Sequence, residues 1–167
     1  YSFYLYILSI LLTLLVFVPG IGFTSGGASR WIHVGTFSLQ PSELMKIGFI
    51  IYFSAWLSGM KDKADTFQYG FLPFLILTAI NGAILLSQPD TDTFLITVVA
   101  GLSIFLVGGG RWKYVFITGG IGLVLLAGLA FTKPYVMNRI TTYINPSANS
   151  QSSGWQIQQS LIAVGSG

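Results

Sequence analysis

The chain has 167 residues, of which 53% are hydrophobic and only 8% are charged, and its mean hydropathy is +0.73. A soluble domain usually carries about 25% charged residues, so this composition excludes a fold that must cover itself with water-facing side chains. Cysteine is absent and His33 is the only histidine, which excludes disulfides and metal sites built from cysteine or several histidines. The net charge of +3 rests on too few residues for a nucleic-acid interface.

Apolar windows follow one another along the chain. A helix needs about 20 mostly apolar residues to cross the hydrocarbon core of a bilayer. The sequence holds five such windows, at residues 3–21, 41–57, 70–87, 93–107 and 114–131. The alternative, a set of buried helices in a soluble protein, fits poorly with five windows that have almost no charge between them. We therefore predict an all-α fold, a polytopic transmembrane helical bundle of about five helices within residues 1–132.

Lysine and arginine in the short loops predict the orientation of this bundle. The loop after the second window carries Lys61 and Lys63, and the loop after the fourth carries Arg111 and Lys113. The loop after the first window carries only Arg30, and the connection between the third and fourth windows has no basic residue. We expect loops two and four in the cytoplasm and loops one and three outside the membrane.

Polar stretches lie between and after the windows. Residues 23–39 are rich in Gly, Ser and Thr, which predicts an outer loop with many turns. Residues 133–167 are expected to begin a large extracytoplasmic loop. Within them residues 145–154 are polar, whereas residues 155–164 have apolar side chains at helical spacing and suit a helix along the membrane surface. Because the chain starts at Tyr1 inside an apolar run, we expect a fragment of a longer protein.

The second window begins with a motif that predicts a helix start. In Gln40-Pro41-Ser42-Glu43, proline suits the first helical position and Glu43 favours the positive end of the helix dipole. Lys46 lies one turn deeper on the same face. An ammonium at that depth costs about 2–3 kcal/mol or more, and such residues usually face a cavity or the bundle interior. A lysine that snorkels to the surface and pairs with Glu43 is the alternative to a functional cavity lysine, which we favour.

Acidic residues cluster between the third and fourth windows. Either Asp90 or Asp92 can cap the next helix, and capping needs only one carboxylate. The second acid is free to bind a cation, or to neutralise a basic residue such as Arg30, Lys46 or Arg139. A divalent metal is therefore possible here. By contrast, Asp62 and Asp65 share a loop with lysines and are expected to be solvated.

Arginines flank the same outer region. Arg30 precedes the second helix and Arg139 follows the fifth. Guanidinium groups at a membrane face suit phosphate or pyrophosphate, although lipid head groups or solvent are equally good partners. The sequence thus predicts an outward-facing polar site for substrate binding or electrostatic help, and it leaves an enzyme and a transporter both open. Its members are Arg30, Glu43, Lys46, Asp90, Asp92 and Arg139.

Several motifs in chain order carry a family resemblance. They are Gly27-Ala28-Ser29-Arg30-Trp31-Ile32, then Gln40-Pro41-Ser42-Glu43 with Lys46, then Gln88-Pro89-Asp90 with Thr93, and finally Arg139 with Asn145-Pro146 and residues 154–167. Together they resemble the SEDS family (shape, elongation, division and sporulation), which includes the FtsW and RodA proteins. The first motif and residues 141–146 are closer to the FtsW branch. The resemblance covers nearly the whole chain and corresponds to the third to seventh helices of the family.

The resemblance implies a peptidoglycan glycosyltransferase in the bacterial inner membrane that polymerises lipid II into glycan strands for cell division or cell shape. It implies a class B penicillin-binding protein, other divisome or elongasome proteins and membrane lipids as partners. Lipid II flipping, or other transport through the same polar site, is the alternative. Arg30, Lys46 and Arg139 are then candidates to stabilise the diphosphate.

Two departures from the family pattern bear on mechanism. The family has Leu-Gly where this chain has Thr91-Asp92, so a glycine turn is replaced by an acidic one. The aspartate thought to be catalytic in the family is expected in the large outer loop beyond Gly167. We therefore assign no catalytic base within this chain.

Overall fold

A computed structural model describes residues 1–25, 28–34, 37–60, 63–132, 137 and 155–166. We number the helices of these ranges in chain order. They are α1 (Ser2–Leu14), α2 (Pro41–Gly59), α3 (Leu72–Ser87), α4 (Thr91–Val107), α5 (Trp112–Thr132) and α6 (Trp155–Gly165). A 3₁₀ turn, Leu15–Phe17, extends α1, and a π-helical turn, Phe67–Phe71, leads into α3. Arg139, Asp62 and residues 145–154 lie outside the described residues.

Local signals set where these helices begin. Pro41 occupies the first turn of α2, where its missing N–H leaves no helical hydrogen bond unmade. The side chain of Thr66 accepts a hydrogen bond from the backbone N–H of Tyr69 (3.3 Å) and so caps the π-helical turn. Each of the five predicted windows is occupied by one of the helices α1 to α5.

The lengths of the helices differ from the predicted spans. By length and composition, Phe67–Ser87 is the one described helix that is long and apolar enough to cross a membrane. Ser2–Phe17 and Thr91–Val107 are apolar but shorter. The first window is shortened because regular helix ends at Leu14 and gives way to the 3₁₀ turn before Pro19 and Gly20.

A small antiparallel sheet follows α1. Its strands are β1 (Gly22–Ser25), β2 (Ala28–Val34) and β3 (Phe37–Leu39), in the order β1-β2-β3. Gly22 pairs with Ile32, and Ile32 pairs in turn with Leu39. The prediction of a loop of turns for residues 23–39 was therefore wrong. The run Trp31-Ile32-His33-Val34 has high β-propensity and was the signal for β2.

The helix bundle is built around aromatic side chains. Phe49 and Phe53 of α2, Phe74 of α3 and Phe105 of α4 are completely buried and form one cluster. Small residues let the helices approach: a Cβ added to Gly48 would lie 2.6 Å from the Ser9 Oγ atom of α1. Close packing through small residues is typical of helices in membranes, where lipid is as apolar as the side chains.

Polar side chains are also buried between the helices. The Tyr6 hydroxyl donates to Asn81 Oδ1 (3.1 Å), which joins α1 to α3. Gln88 Nε2 donates to the Thr13 carbonyl (3.1 Å), and Thr13 Oγ1 donates to the Pro41 carbonyl (3.2 Å). Large aliphatic side chains such as those of α1 point outward instead. Buried polar groups that are bonded within the protein, together with apolar side chains on the outside, are the arrangement expected of a bundle in lipid.

The chain divides into two compact units, Tyr1–Val115 and Phe116–Gly167. The first contains the sheet, the helices α1 to α4 and the start of α5. The second contains the rest of α5, whose side chains Ile121, Leu123 and Val124 are exposed, and the helix α6.

Candidate functional site

The N-terminal end of α2 carries the first pair of predicted site residues. Lys46 Nζ donates to Glu43 Oε2 at 2.7 Å. The Glu43 side chain is 51% exposed and that of Lys46 is 19% exposed, so the lysine side chain is the more buried of the two. Glu43 belongs to the first turn of the helix, where the dipole favours an acid. We call this end of the first unit, formed by the N-termini of α2 and α4 and by the sheet, the polar end.

Asp90 lies at the same end, in the junction between α3 and α4. Its side chain is only 2% exposed. Asp90 Oδ2 accepts hydrogen bonds from Gln40 Nε2 (3.2 Å) and Ser42 Oγ (3.1 Å) at the start of α2. Asp90 occupies the N-cap position of α4, but its side chain makes no capping hydrogen bond. Of the two acids that could have capped α4, Asp90 thus does not use its carboxylate for capping, because that carboxylate accepts from the start of α2.

Arg30 of β2 reaches the same junction. Its Nε donates to the Gln88 carbonyl (3.2 Å), and its Nη2 donates to the Pro89 carbonyl (2.5 Å). Its Nη1 lies 3.6 Å from Asp90 Oδ1, and the side chain is 27% exposed. The guanidinium thus binds the C-terminal end of α3, where backbone carbonyls lack helical partners and favour a cation.

The structure brings together some of the predicted site residues in two groups. Arg30 and Asp90 form one, and Glu43 and Lys46 form the other. Asp92 lies in the first turn of α4, and Arg139 falls outside the described residues. Sequence reasoning missed two side chains that donate to Asp90, those of Gln40 and Ser42, and the backbone carbonyl of Gln88 that accepts from Arg30. Each belongs to one of the two motifs already singled out.

Acidic residues do not assemble a metal centre in the part of the chain that the structure describes. No three Asp, Glu or His side chains there lie close enough to hold an ion.

The opposite end of the bundle has different features. Arg111 Nη2 donates to Asp65 Oδ2 at 2.6 Å, so Asp65 is paired rather than only solvated as predicted. The hydrogen bond to Asp65, and then its charge, raise the pKa of the Arg111 guanidinium above its ordinary value. An open groove of about 500 Å³ also lies at this end, far along α2 and α4 from the polar residues, and is lined by Ser54, Leu57, Ser58, Ser103, Ile104, Val107 and Gly108.

Known proteins resemble this chain in sequence. The family model described as "Cell cycle protein", which covers FtsW, RodA and SpoVE, matches residues 1–167. A protein named "Probable peptidoglycan glycosyltransferase FtsW" from Geobacter sp. (strain M18) is 41% identical over 159 residues, covering 93% of this chain and 42% of that protein. "Stage V sporulation protein E" from Bacillus subtilis (strain 168) is 38% identical over 163 residues, covering 98% of this chain and 44% of that protein. The chain thus spans less than half the length of these relatives.

Solved structures resemble it in fold. One comes from work on "Structural coordination of polymerization and crosslinking by a peptidoglycan synthase complex". It matches with a TM-score of 0.76 at 27% identity, over 97% of this chain and 47% of that one. The rod shape determining protein RodA of Thermus thermophilus matches with a TM-score of 0.62 at 28% identity, over 75% of this chain and 40% of the RodA chain. These relatives confirm the predicted class of polytopic helical membrane protein. The chain belongs to the FtsW, RodA and SpoVE family of cell cycle proteins, the SEDS family.

Proposed function

We propose that the full-length protein containing this chain is a membrane peptidoglycan glycosyltransferase that polymerises lipid II into glycan strands for cell division or cell shape. Relatives at about 40% identity carry the name peptidoglycan glycosyltransferase, which supports the reaction class. The observation in this chain that carries the proposal is the Glu43–Lys46 pair at the polar end.

Lys46 suits the binding of a substrate diphosphate. An ammonium has three donors, and the described residues use one of them in the bond to Glu43. A partly buried ammonium in a membrane protein is costly, whereas a phosphate oxygen that accepts a charge-assisted hydrogen bond offsets that cost. Glu43 holds the ammonium in place through a bond that is itself exposed, so a diphosphate can approach along the same surface.

Glycan extension requires a balanced exchange of bonds. A sugar hydroxyl oxygen attacks the anomeric carbon of the neighbouring lipid-linked sugar and forms the glycosidic bond. The bond between that carbon and the diphosphate oxygen breaks, and the hydroxyl proton passes to a carboxylate base. Negative charge then develops on the leaving diphosphate, and Lys46 is positioned to stabilise it. We expect the base itself in the large outer loop, outside this chain.

We further propose a bacterial inner-membrane, multi-pass location. In this arrangement residues 1–132 form the transmembrane bundle, residues 133–167 begin the extracytoplasmic loop, and the polar end faces outward. The basic residues Lys63, Arg111 and Lys113 at the opposite end support this orientation, because Lys and Arg are enriched in cytoplasmic loops.

Cysteine labelling tests the orientation. Ser38 of β3 and Lys113 of α5 are both exposed, one at each end of the first unit. In a cysteine-free background of the full-length protein, we expect Ser38→Cys to react with a membrane-impermeant maleimide in intact cells. Lys113→Cys should react only after lysis. Labelling of Lys113→Cys in intact cells to the same extent as Ser38→Cys would reverse the proposed orientation.

A class B penicillin-binding protein is the partner that we propose for glycan synthesis, together with other divisome or elongasome proteins and the surrounding membrane lipids. The support is the structural relative described as part of a peptidoglycan synthase complex that couples polymerization to crosslinking. A cross-linking enzyme acts on the product of a polymerase, so association of the two shortens the path between successive reactions.

Turnover in detergent tests the reaction class. Purified full-length protein, mixed with lipid II and the partner in detergent micelles, is expected to yield glycan strands that are visible by gel electrophoresis. Polymerisation needs no second compartment, whereas transport does. Absence of strands, combined with movement of lipid II between leaflets when the protein is in liposomes, would show a transporter instead.

A further inference from the structure

Asp90 joins three segments that are far apart in sequence. Its carboxylate accepts from Gln40 and Ser42 at the start of α2 and lies beside Arg30 of β2. Arg30 in turn donates to the carbonyls of Gln88 and Pro89. We call Arg30, Gln40, Ser42, Gln88 and Asp90 the Asp90 network.

Both carboxylate oxygens of Asp90 interact with other groups of the protein. Asp90 is 2% exposed and Ser42 is 1% exposed, so neither side chain presents a surface to a bound molecule. Hydrogen bonds to an ionised carboxylate are stronger than neutral ones, and burial strengthens them further. Asp90 is therefore arranged to hold protein segments together, which differs from the role in substrate binding that the sequence predicted for it.

The anchored segment leads directly into the proposed site. Ser42 immediately precedes Glu43, and Lys46 follows one helical turn later on α2. We propose that Asp90 is a positioning residue, which fixes the first turn of α2 through Gln40 and Ser42 and so orients the Glu43–Lys46 pair. This inference rests on the proposed function of that pair in binding the substrate diphosphate.

Hydrogen exchange measures the anchoring without any assay of activity. We compare the full-length protein in nanodiscs with Asp90→Asn and Ser42→Ala, following the amides at the start of α2. We expect exchange there to rise about tenfold or more in each variant, because a local opening becomes easier when the anchoring bonds are lost. Ser103→Ala is the matched control, since its Oγ donates to the Val99 carbonyl within its own helix, and exchange at the start of α2 should not change.

Kinetics separates positioning from substrate contact. Both variants are expected to lower kcat for glycan synthesis by about 10- to 100-fold, because small misplacement of a reacting group has effects of this size. The dissociation constant for lipid II should rise by less than kcat falls, because the negative charge that Lys46 meets is larger in the transition state than in the bound substrate. Ser42→Ala should add little to Asp90→Asn, because both substitutions weaken the same contact between Ser42 and the side chain at position 90.

The outcomes distinguish the two proposals. Unchanged exchange at the start of α2 in both variants overturns the positioning role, and weaker lipid II binding with unchanged exchange assigns Asp90 to the substrate site instead. In another outcome the parent protein makes no glycan strands, while exchange still rises in the variants. That result supports the anchoring by Asp90 and overturns the proposed function. Ser42→Ala removes a single hydroxyl, so it provides the exchange result if Asp90→Asn does not fold.

Discussion

Replacement of Lys46 with methionine in the full-length protein is expected to lower kcat for glycan synthesis by about 10²- to 10³-fold, the usual loss when one electrostatic donor to a developing negative charge is removed. Methionine keeps the length and apolar stem of lysine but lacks the ammonium that binds Glu43. Membrane insertion and folding should persist, because the substitution removes a costly charge from a partly buried position. The measurement is strand formation from lipid II by purified protein, with thermal unfolding recorded in parallel.

Lys113→Met is the matched control, since Lys113 is exposed at the opposite end of the bundle. Its glycan synthesis should stay within about twofold of the parent rate, as expected for a surface residue away from the site. Normal turnover by Lys46→Met would refute the assignment of Lys46 to the diphosphate. It would leave the lysine as a side chain that only pairs with Glu43.

Gly101→Val is expected to lower the free energy of unfolding by about 3 kcal/mol, a large cost for one substitution. A Cβ at Gly101 of α4 would lie 2.7 Å from Phe74 Cε2 and 2.8 Å from Phe49 Cζ. Both phenylalanines are completely buried in the aromatic cluster, so neither ring can move away without displacing its neighbours. Unfolding of the full-length protein by SDS in mixed micelles measures the change.

Gly120→Ala provides the control for helix propensity. A Cβ at Gly120 of α5 would meet nothing within 4 Å, so alanine should leave stability unchanged or raise it by up to about 1 kcal/mol. Equal stability of Gly101→Val and the parent protein would show that α2, α3 and α4 do not pack through Phe49 and Phe74 as described.

The positions of the helices could be predicted from the sequence because membrane helices satisfy their backbone hydrogen bonds within each segment. Hydropathy over a short window is then enough to locate α1 to α5, and Pro41 marks the start of α2. The motifs around Glu43 and Asp90 likewise sufficed to recognise the family. Division of the chain into residues 1–132 and 133–167 remains a proposal.

The sheet was not predicted from the local sequence pattern. Glycine and serine in residues 23–39 indicated turns, although Trp31, Ile32 and Val34 favour a strand. Strand formation depends on a partner, and here β2 obtains one on each side, β1 and β3. A pattern of single residues does not show whether such partners will come together.

Composition and local pattern by themselves determined that this protein is a helical membrane protein with a small set of polar residues near the ends of its helices. Only the tertiary structure decided what those residues contact. Ser42 and Asp90 are 48 positions apart, and Arg30 binds the carbonyl of Gln88 from 58 positions away. Hydrogen bonds of this kind depend on how helices pack and on the direction of each side chain. The role of a buried carboxylate such as Asp90 is therefore fixed by its neighbours in space rather than by its neighbours in sequence.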